Sequence, residues 1–113
     1  MGKPRVLVLD ALNTGARTIA SYLKGHLGED FNVSSHGICL HSEEDRVLNA
    51  DHLASFYWLN REALFDALKD EMGINQRQVM AKIHFLKFNS INKLEDGPHF
   101  RKLAEEIRKA ERG

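Results

Sequence analysis

The run RVLVL at residues 5–9 is the feature that most constrains what this chain can fold into. Consecutive apolar residues rich in β-branched side chains are typical of a short strand that is covered on both faces. Such a strand needs helices on both sides. The segment that follows, residues 14–27, supplies one, because Gly28 stands where a helix C-cap belongs and five apolar residues recur at helical spacing: Ala16, Ile19, Ala20, Leu23 and Leu27.

The rest of the chain continues this alternation. A second strand is predicted in the first half of residues 31–40, ending or bending at Gly37, a third at 52–59 and a fourth at 79–88. Further helices are predicted from Asn60 to Gly73, with Leu64, Phe65, Leu68 and Met72 along one face, and from Pro98 onward, with Phe100, Leu103, Ala104 and Ile107 facing inward.

Strands that alternate with helices predict one small three-layer α/β domain over residues 1–113. We expect a four-stranded parallel sheet with right-handed crossovers. In a sheet of this kind, ligands bind beyond the carboxyl ends of the strands. The loop after the first strand is therefore the first place to look for a site.

Composition narrows the possible partners. Sixteen Lys and Arg residues balance sixteen Asp and Glu residues, so the broad positive field that attracts nucleic acid or an anionic membrane is missing. The histidines lack metal-ligand spacing, and the single cysteine, Cys39, can form no internal disulfide and complete no structural zinc site. The first apolar run is too short for a signal peptide or a membrane span. We therefore predict a cytoplasmic protein without cofactor, metal, nucleic acid or membrane anchor.

The loop after the first strand, residues 10–18, reads DALNTGART. Backbone N–H groups at the start of a helix have no partner within the helix and lie at the positive end of its dipole. Arg17 can also bind two oxygens of an anion. These features favour phosphate, although the same pattern fits an ordinary strand-to-helix turn with a solvated arginine.

Residues 6–37, VLVLDALNTGARTIASYLKGHLGEDFNVSSHG, resemble the opening of low-molecular-weight protein tyrosine phosphatases and the related thioredoxin-coupled arsenate reductases. Members of these families begin with a hydrophobic strand, then C-x5-R followed by Ser or Thr, then a helix. The resemblance implies that the four parallel strands have the order 2-1-3-4. The resemblance implies that Arg17 and Thr18 take the places of the phosphate-binding arginine and the following hydroxyl. It also implies that Asp96 takes the place of the general acid, a residue that equally suits the acidic start of a helix.

The family's nucleophile is missing from this sequence. Counting back from Arg17 puts Ala11 where the catalytic cysteine stands, and alignment on Asn13 puts Asp10 there instead. Neither is the thiol that the family's reaction requires. A carboxylate at Asp10 would face the amides that otherwise bind phosphate, and it can fill that pocket itself. The sequence thus predicts a degenerate anion loop that comprises Asp10, Ala11, Asn13, Thr14, Gly15, Arg17 and Thr18.

The connection between the second and third strands is shorter than in those families. It offers about the dozen residues that a parallel crossover minimally requires, so a covering helix is lost or reduced. We expect one face of the sheet to be under-covered near Phe56, Tyr57 and Trp58. An exposed apolar patch on a small protein indicates a partner. Tyr57, Trp58 and His99 are candidate interface residues, although Phe56 and Trp58 also suit the core.

These observations predict a catalytically inactive phosphatase-like module, a pseudophosphatase. It would bind a protein partner or a second copy of itself, with residual binding of phosphate, sulfate or a phosphopeptide at the loop. The alternative is an active phosphatase, because VLVLDALNT also resembles the first motif of haloacid-dehalogenase-type phosphatases, with Asp10 as nucleophile and Thr14 in its place. Leu12 replaces the second aspartate of that motif, and no later acidic pair offers a Mg²⁺ site.

Overall fold

The computed structural model describes residues 2–40, 44–86, 95 and 97–112. Its sheet has four parallel strands in the order β2-β1-β3-β4, as predicted. Along the chain the elements are β1 (Arg5–Asp10), α1 (Gly15–Leu27), β2 (Asn32–Gly37), α2 (Glu44–Asn49), β3 (His52–Ser55), α3 (Arg61–Met72), β4 (Lys82–Phe85) and α4 (Pro98–Arg112).

Strand β1 lies at the centre of the sheet and is buried on both faces. Val6 and Val8 pack in the core formed with α1 and α4. Leu7 and Leu9 pack in the opposite core, formed with α2 and α3. All four side chains are at most 2% exposed, and burying each stabilises the fold by roughly 1.5–3 kcal/mol. The continuous apolar run is therefore a strand covered on both faces, as its sequence predicts.

The helix boundaries follow the expected capping residues. Helix α1 ends at Gly28, whose φ of 71° lies in the left-handed region that favours glycine. The side chain of Asn60 accepts a hydrogen bond of 2.8 Å from the N–H of Ala63 at the start of α3. Gly73 ends that helix with a left-handed conformation. The residues predicted to face inward on α1 and α4 are all buried.

Two strands are shorter than the sequence indicates. β3 stops at Ser55 because the Ser55 hydroxyl donates to the carbonyl of Trp58 at 2.8 Å and accepts from the Trp58 N–H at 3.3 Å. These bonds turn the chain away from the sheet before residue 59, against the apolar pattern. β4 begins at Lys82 because a 3₁₀ turn, Gln76–Gln78, precedes it with its own capping box. The predicted end of that strand at residue 88 lies outside the described residues.

The crossover between β2 and β3 is short, as predicted, but it does not leave the aromatic segment uncovered. It holds a 3₁₀ turn, Ile38–Leu40, and the six-residue helix α2. Phe56 is buried and Trp58 packs against the core of α2 and α3. The under-covered place is edge strand β2, where Asn32 and Ser34 are exposed, because α2 lies over β1. The expectation of an uncovered face at Phe56 and Trp58 is wrong.

None of the helices in the described part of the chain combines the length and the apolar character needed to cross a membrane.

Candidate functional site

The loop that joins β1 to α1 lies at the carboxyl edge of the sheet, against the end of β2. The N–H of Cys39 donates to the carbonyl of Ala11 at 3.0 Å. Gly37 lies directly beneath the loop, since a Cβ there would come within 2.6 Å of the Asn13 nitrogen and 2.9 Å of the Ala11 oxygen. Both atoms belong to the backbone and cannot rotate away. The close approach of these two segments therefore explains why residue 37 is a glycine.

The Asp10 carboxylate turns into this loop. One carboxylate oxygen, Oδ2, accepts a 3.1 Å hydrogen bond from the N–H of Ala16, and the other, Oδ1, accepts from the N–H of Asn13. Ala16 is the second residue of α1, so its N–H is one of the donors that an anion bound at the start of the helix would use. Asp10 is only 4% exposed. Its carboxylate therefore bonds to an amide of the loop and to one at the start of the helix.

Local backbone geometry supports this arrangement. Asn13 has a φ of 62°, in the left-handed region that asparagine tolerates better than most residues. Thr14, at the N-cap position of α1, makes no side-chain capping bond. The carboxylate four residues earlier caps the helix in its place. This capping role could not be assigned from spacing, because an N-cap side chain normally belongs to the residue next to the helix.

Beside Asp10 lies an open cleft of about 570 Å³, which we call the edge cleft. Its walls are mainly apolar and aromatic, and Leu12 and Tyr57 are 62% and 60% exposed. The ring of Phe56 covers the start of α1 closely, since a Cβ at Gly15 would meet it at 2.6 Å. The residues that line the edge cleft are Asp10, Ala11, Leu12, Thr14, Gly15, Thr18, Phe56 and Tyr57.

The structure brings together most of the residues predicted for the anion loop, but not its arginine. Arg17 is exposed and, with Asn13, is absent from the described lining of the edge cleft. Leu12 and Phe56 line the cleft although the sequence did not indicate them as site residues. The signal available for Leu12 was a large apolar side chain in a loop beyond a buried strand, a position that is normally polar.

The remaining predicted site residues have different positions. Tyr57 lines the edge cleft. The Trp58 ring makes a T-shaped contact with the Tyr57 ring, with 4.9 Å between the two ring centroids. His99 is exposed near the start of α4, with its ring 4.4 Å from that of Phe100, and is absent from the described cleft lining. Asp96, predicted at the general-acid position, lies outside the described residues.

A second polar arrangement lies at the amino-terminal end of β3 and β4; we call it the histidine cluster (His52, His84, Glu111 and Lys82). His52 is fully buried; its Nε2 lies 2.7 Å from Glu111 Oε2 and its Nδ1 3.0 Å from His84 Nε2. Lys82 donates to the carbonyl of Ala110. Burial, together with smaller contributions from His52 and Lys82, lowers the pKa of His84 from 6.5 to about 4.

Each ring nitrogen in this cluster donates or accepts according to the tautomer of its ring, so the two rings and the Glu111 carboxylate form one chain of hydrogen bonds. Sequence reasoning missed the cluster because His52 and His84 are 32 residues apart. Within the described residues, no group of three or more His, Cys, Asp and Glu side chains could hold a metal ion.

Comparison with known proteins identifies no relative. No protein-family model matches the chain, and no curated protein matches it. The resemblance to low-molecular-weight tyrosine phosphatases thus stays a prediction from the sequence.

Proposed function

We propose that the chain is a non-catalytic, phosphatase-like module that binds a protein partner through the edge cleft. The observation that carries this proposal is the pair of hydrogen bonds from the Asn13 and Ala16 amides to the Asp10 carboxylate. A loop whose amides already hold a carboxylate has lost both the nucleophile and the oxyanion-binding donors of phosphate chemistry.

The position of Cys39 supports the absence of thiol chemistry at this loop. Cys39 follows β2 and is partly buried, and it is absent from the described lining of the edge cleft. A nucleophilic thiolate needs a position facing the substrate and near donors that stabilise it. One helix-start donor, the N–H of Ala16, is instead directed to Asp10.

The same hydrogen bonds argue against Asp10 as an aspartyl nucleophile. Both carboxylate oxygens accept backbone hydrogen bonds, and the side chain is almost completely buried. Backbone hydrogen bonds to both oxygens stabilise the charge of the carboxylate and therefore make it a weaker nucleophile. The haloacid-dehalogenase-like alternative therefore has less support than the non-catalytic function.

Exposed apolar side chains support a protein as the ligand. Leu12, Leu40, Tyr57 and Leu59 come from the loops after β1, β2 and β3, and all are exposed. Three separate loops thus present large apolar side chains at one edge of the sheet. Exposed apolar patches of this kind mark interaction sites, and tyrosine is enriched in protein interfaces.

A direct assay tests the absence of catalysis. The purified chain is incubated with p-nitrophenyl phosphate, with and without Mg²⁺, and we expect no turnover above the blank. Turnover that disappears in Asp10→Asn would establish an aspartyl phosphatase instead and overturn the proposal.

Affinity capture with matched variants tests the binding surface. Leu12→Ser alters the edge cleft, and Met80→Ser is the control because Met80 is 87% exposed but lies outside the described lining of the edge cleft. We expect a protein that is retained by the wild type and by Met80→Ser and is lost with Leu12→Ser. Equal retention by all three, or no retained protein, would contradict binding through the cleft.

A further inference from the structure

We infer that the edge cleft binds a lysine side chain of the partner protein, with the ammonium group at Asp10 and the methylene stem along Phe56, Tyr57 and Leu12. This inference rests on the proposed function, since it names the group that the partner inserts into the cleft. It reverses the charge preference that a phosphate loop would have.

The charge of the edge cleft favours a cation as its ligand. Asp10 is the only charged residue among the described residues that line it. Each carboxylate oxygen has two acceptor positions, and the amides of Asn13 and Ala16 use one on each oxygen. Acceptor positions thus remain for a further donor. The two amide bonds offset part of the cost of withdrawing the carboxylate from water, and a cation in the cleft would offset more of it.

The walls of the edge cleft suit the methylene stem of a lysine side chain. Two aromatic rings, Phe56 and Tyr57, lie beside the carboxylate, with Leu12 next to them. A cation is attracted to an aromatic face, and lysine buries its methylene stem along apolar surface while its ammonium group reaches a polar atom. The hydroxyls of Thr14 and Thr18 supply further acceptors for an ammonium group.

The hydrogen bonds of Asp10 favour lysine over arginine. Arginine is selected where both oxygens of a carboxylate are open to its planar fork. Here an amide already bonds to each oxygen of Asp10, which leaves a site suited to a point charge. Lysine presents such a charge, with three donors that rotate to fit the acceptors available.

Two other ligand types are less suited to the cleft. An anion such as phosphate would meet the like charge of Asp10 in a partly buried site, where repulsion is weakly screened. An uncharged apolar side chain would fit the walls but would cover the carboxylate without giving it a partner. We therefore expect the edge cleft to bind a lysine side chain more tightly than an uncharged apolar side chain, and to bind phosphate least.

A titration of the full ¹⁵N-labelled chain tests the inference. The probes are N-acetyl-lysine N-methylamide, the uncharged norleucine analogue of the same shape, and inorganic phosphate. We expect the lysine probe to shift the amides of Asn13, Ala16 and Tyr57, with a dissociation constant about tenfold lower than that of norleucine, the ratio expected for one charge-assisted hydrogen bond. Phosphate should shift none of these amides.

Two controls separate charge from shape. In Asp10→Asn, we expect lysine and norleucine to bind equally. Asp10→Asn also alters the helix cap. The unmodified chain is therefore titrated in the same way with Nε-acetyl-lysine, which keeps the stem of lysine but lacks its charge. We expect it to bind no better than norleucine.

The results also distinguish this inference from the proposed function. Equal binding of lysine and norleucine to the wild type, no shift with lysine, or phosphate binding at these amides would overturn the lysine assignment. Loss of partner capture in Leu12→Ser, together with any of these results, would leave the cleft as the binding surface. Unchanged capture in that variant would instead contradict the proposed function.

Discussion

The two edges of the sheet use buried polar side chains in opposite ways. At the carboxyl edge, Asp10 directs its carboxylate to backbone amides of its own loop. At the amino-terminal edge, His52 bonds to His84 and Glu111, and Lys82 bonds to the end of α4. The first arrangement satisfies the backbone and leaves an apolar cleft open beside it. The second joins separate elements to each other and fixes the end of α4 against the sheet.

Helix α4 makes further bonds at the amino-terminal edge. Arg108 donates to the carbonyls of His26 and Leu27 at the end of α1, at 2.7 and 3.3 Å. These carbonyls belong to the last turn of a helix and have no partner within it. Helix α4 therefore satisfies groups from both α1 and the sheet, whereas at the other edge the exposed Leu12 and Tyr57 stand beside an open cleft.

The largest effect is expected from removing the carboxylate at the open edge. Asp10→Ala leaves the amides of Asn13 and Ala16 without their acceptor, and we expect the free energy of unfolding to fall by about 3 kcal/mol. Urea denaturation of the wild type and the variant measures this change in the free energy of unfolding. Asp10→Asn, which keeps one acceptor oxygen, should lose less. A loss below about 0.5 kcal/mol in the alanine variant, the range of an ordinary surface change, would show that Asp10 does not cap the helix.

A smaller effect is expected from pH at the amino-terminal edge. The pKa of His84 falls from 6.5 to about 4 on folding, mainly through burial. Between these two pH values the unfolded chain binds a proton at His84 that the folded chain does not, so stability decreases as the pH falls from about 6.5 to about 4. Because the ring is partly exposed, we expect screening to reduce the loss to about 1–2 kcal/mol.

The variant His84→Gln isolates this contribution. Its amide can donate to His52 or accept from it, but it cannot take up a proton in this range. Unfolding of both proteins is followed at pH 7 and at pH 4.5, and the loss of stability should be smaller in the variant. Parallel losses in the two proteins would assign the pH dependence to other groups.

The smallest effect on stability is expected at Tyr57, which is 60% exposed. Tyr57→Ser should change the free energy of unfolding by less than about 0.5 kcal/mol, although it removes a wall of the edge cleft. Trp58→Ser is the comparison, because Trp58 packs against the core and its loss should destabilise the protein clearly. Thermal unfolding of the two variants would show similar losses if Tyr57 were a core residue as well.

Part of the candidate site could be predicted from the sequence. The loop after β1, the absence of a thiol from that loop and Tyr57 as a candidate interface residue all follow from the order of residues, whereas the position of Tyr57 beside the loop does not. The direction of the Asp10 carboxylate could not be predicted, because it depends on the left-handed conformation of Asn13 and on the position of α1. The place of Arg17 outside the described cleft lining also required the structure.

The amino-acid sequence by itself determined the alternation of strands and helices, several of the helix caps and the parallel direction of the strands. It did so because apolar periodicity and capping residues such as Gly28, Asn60 and Gly73 act within a few residues of chain. The tertiary structure decided where β3 stops, where the sheet is under-covered, and that His52 joins residues 32 and 59 positions away. These features depend on which distant groups compete for the same hydrogen bonds and the same buried surface, and that competition takes place only in the folded chain.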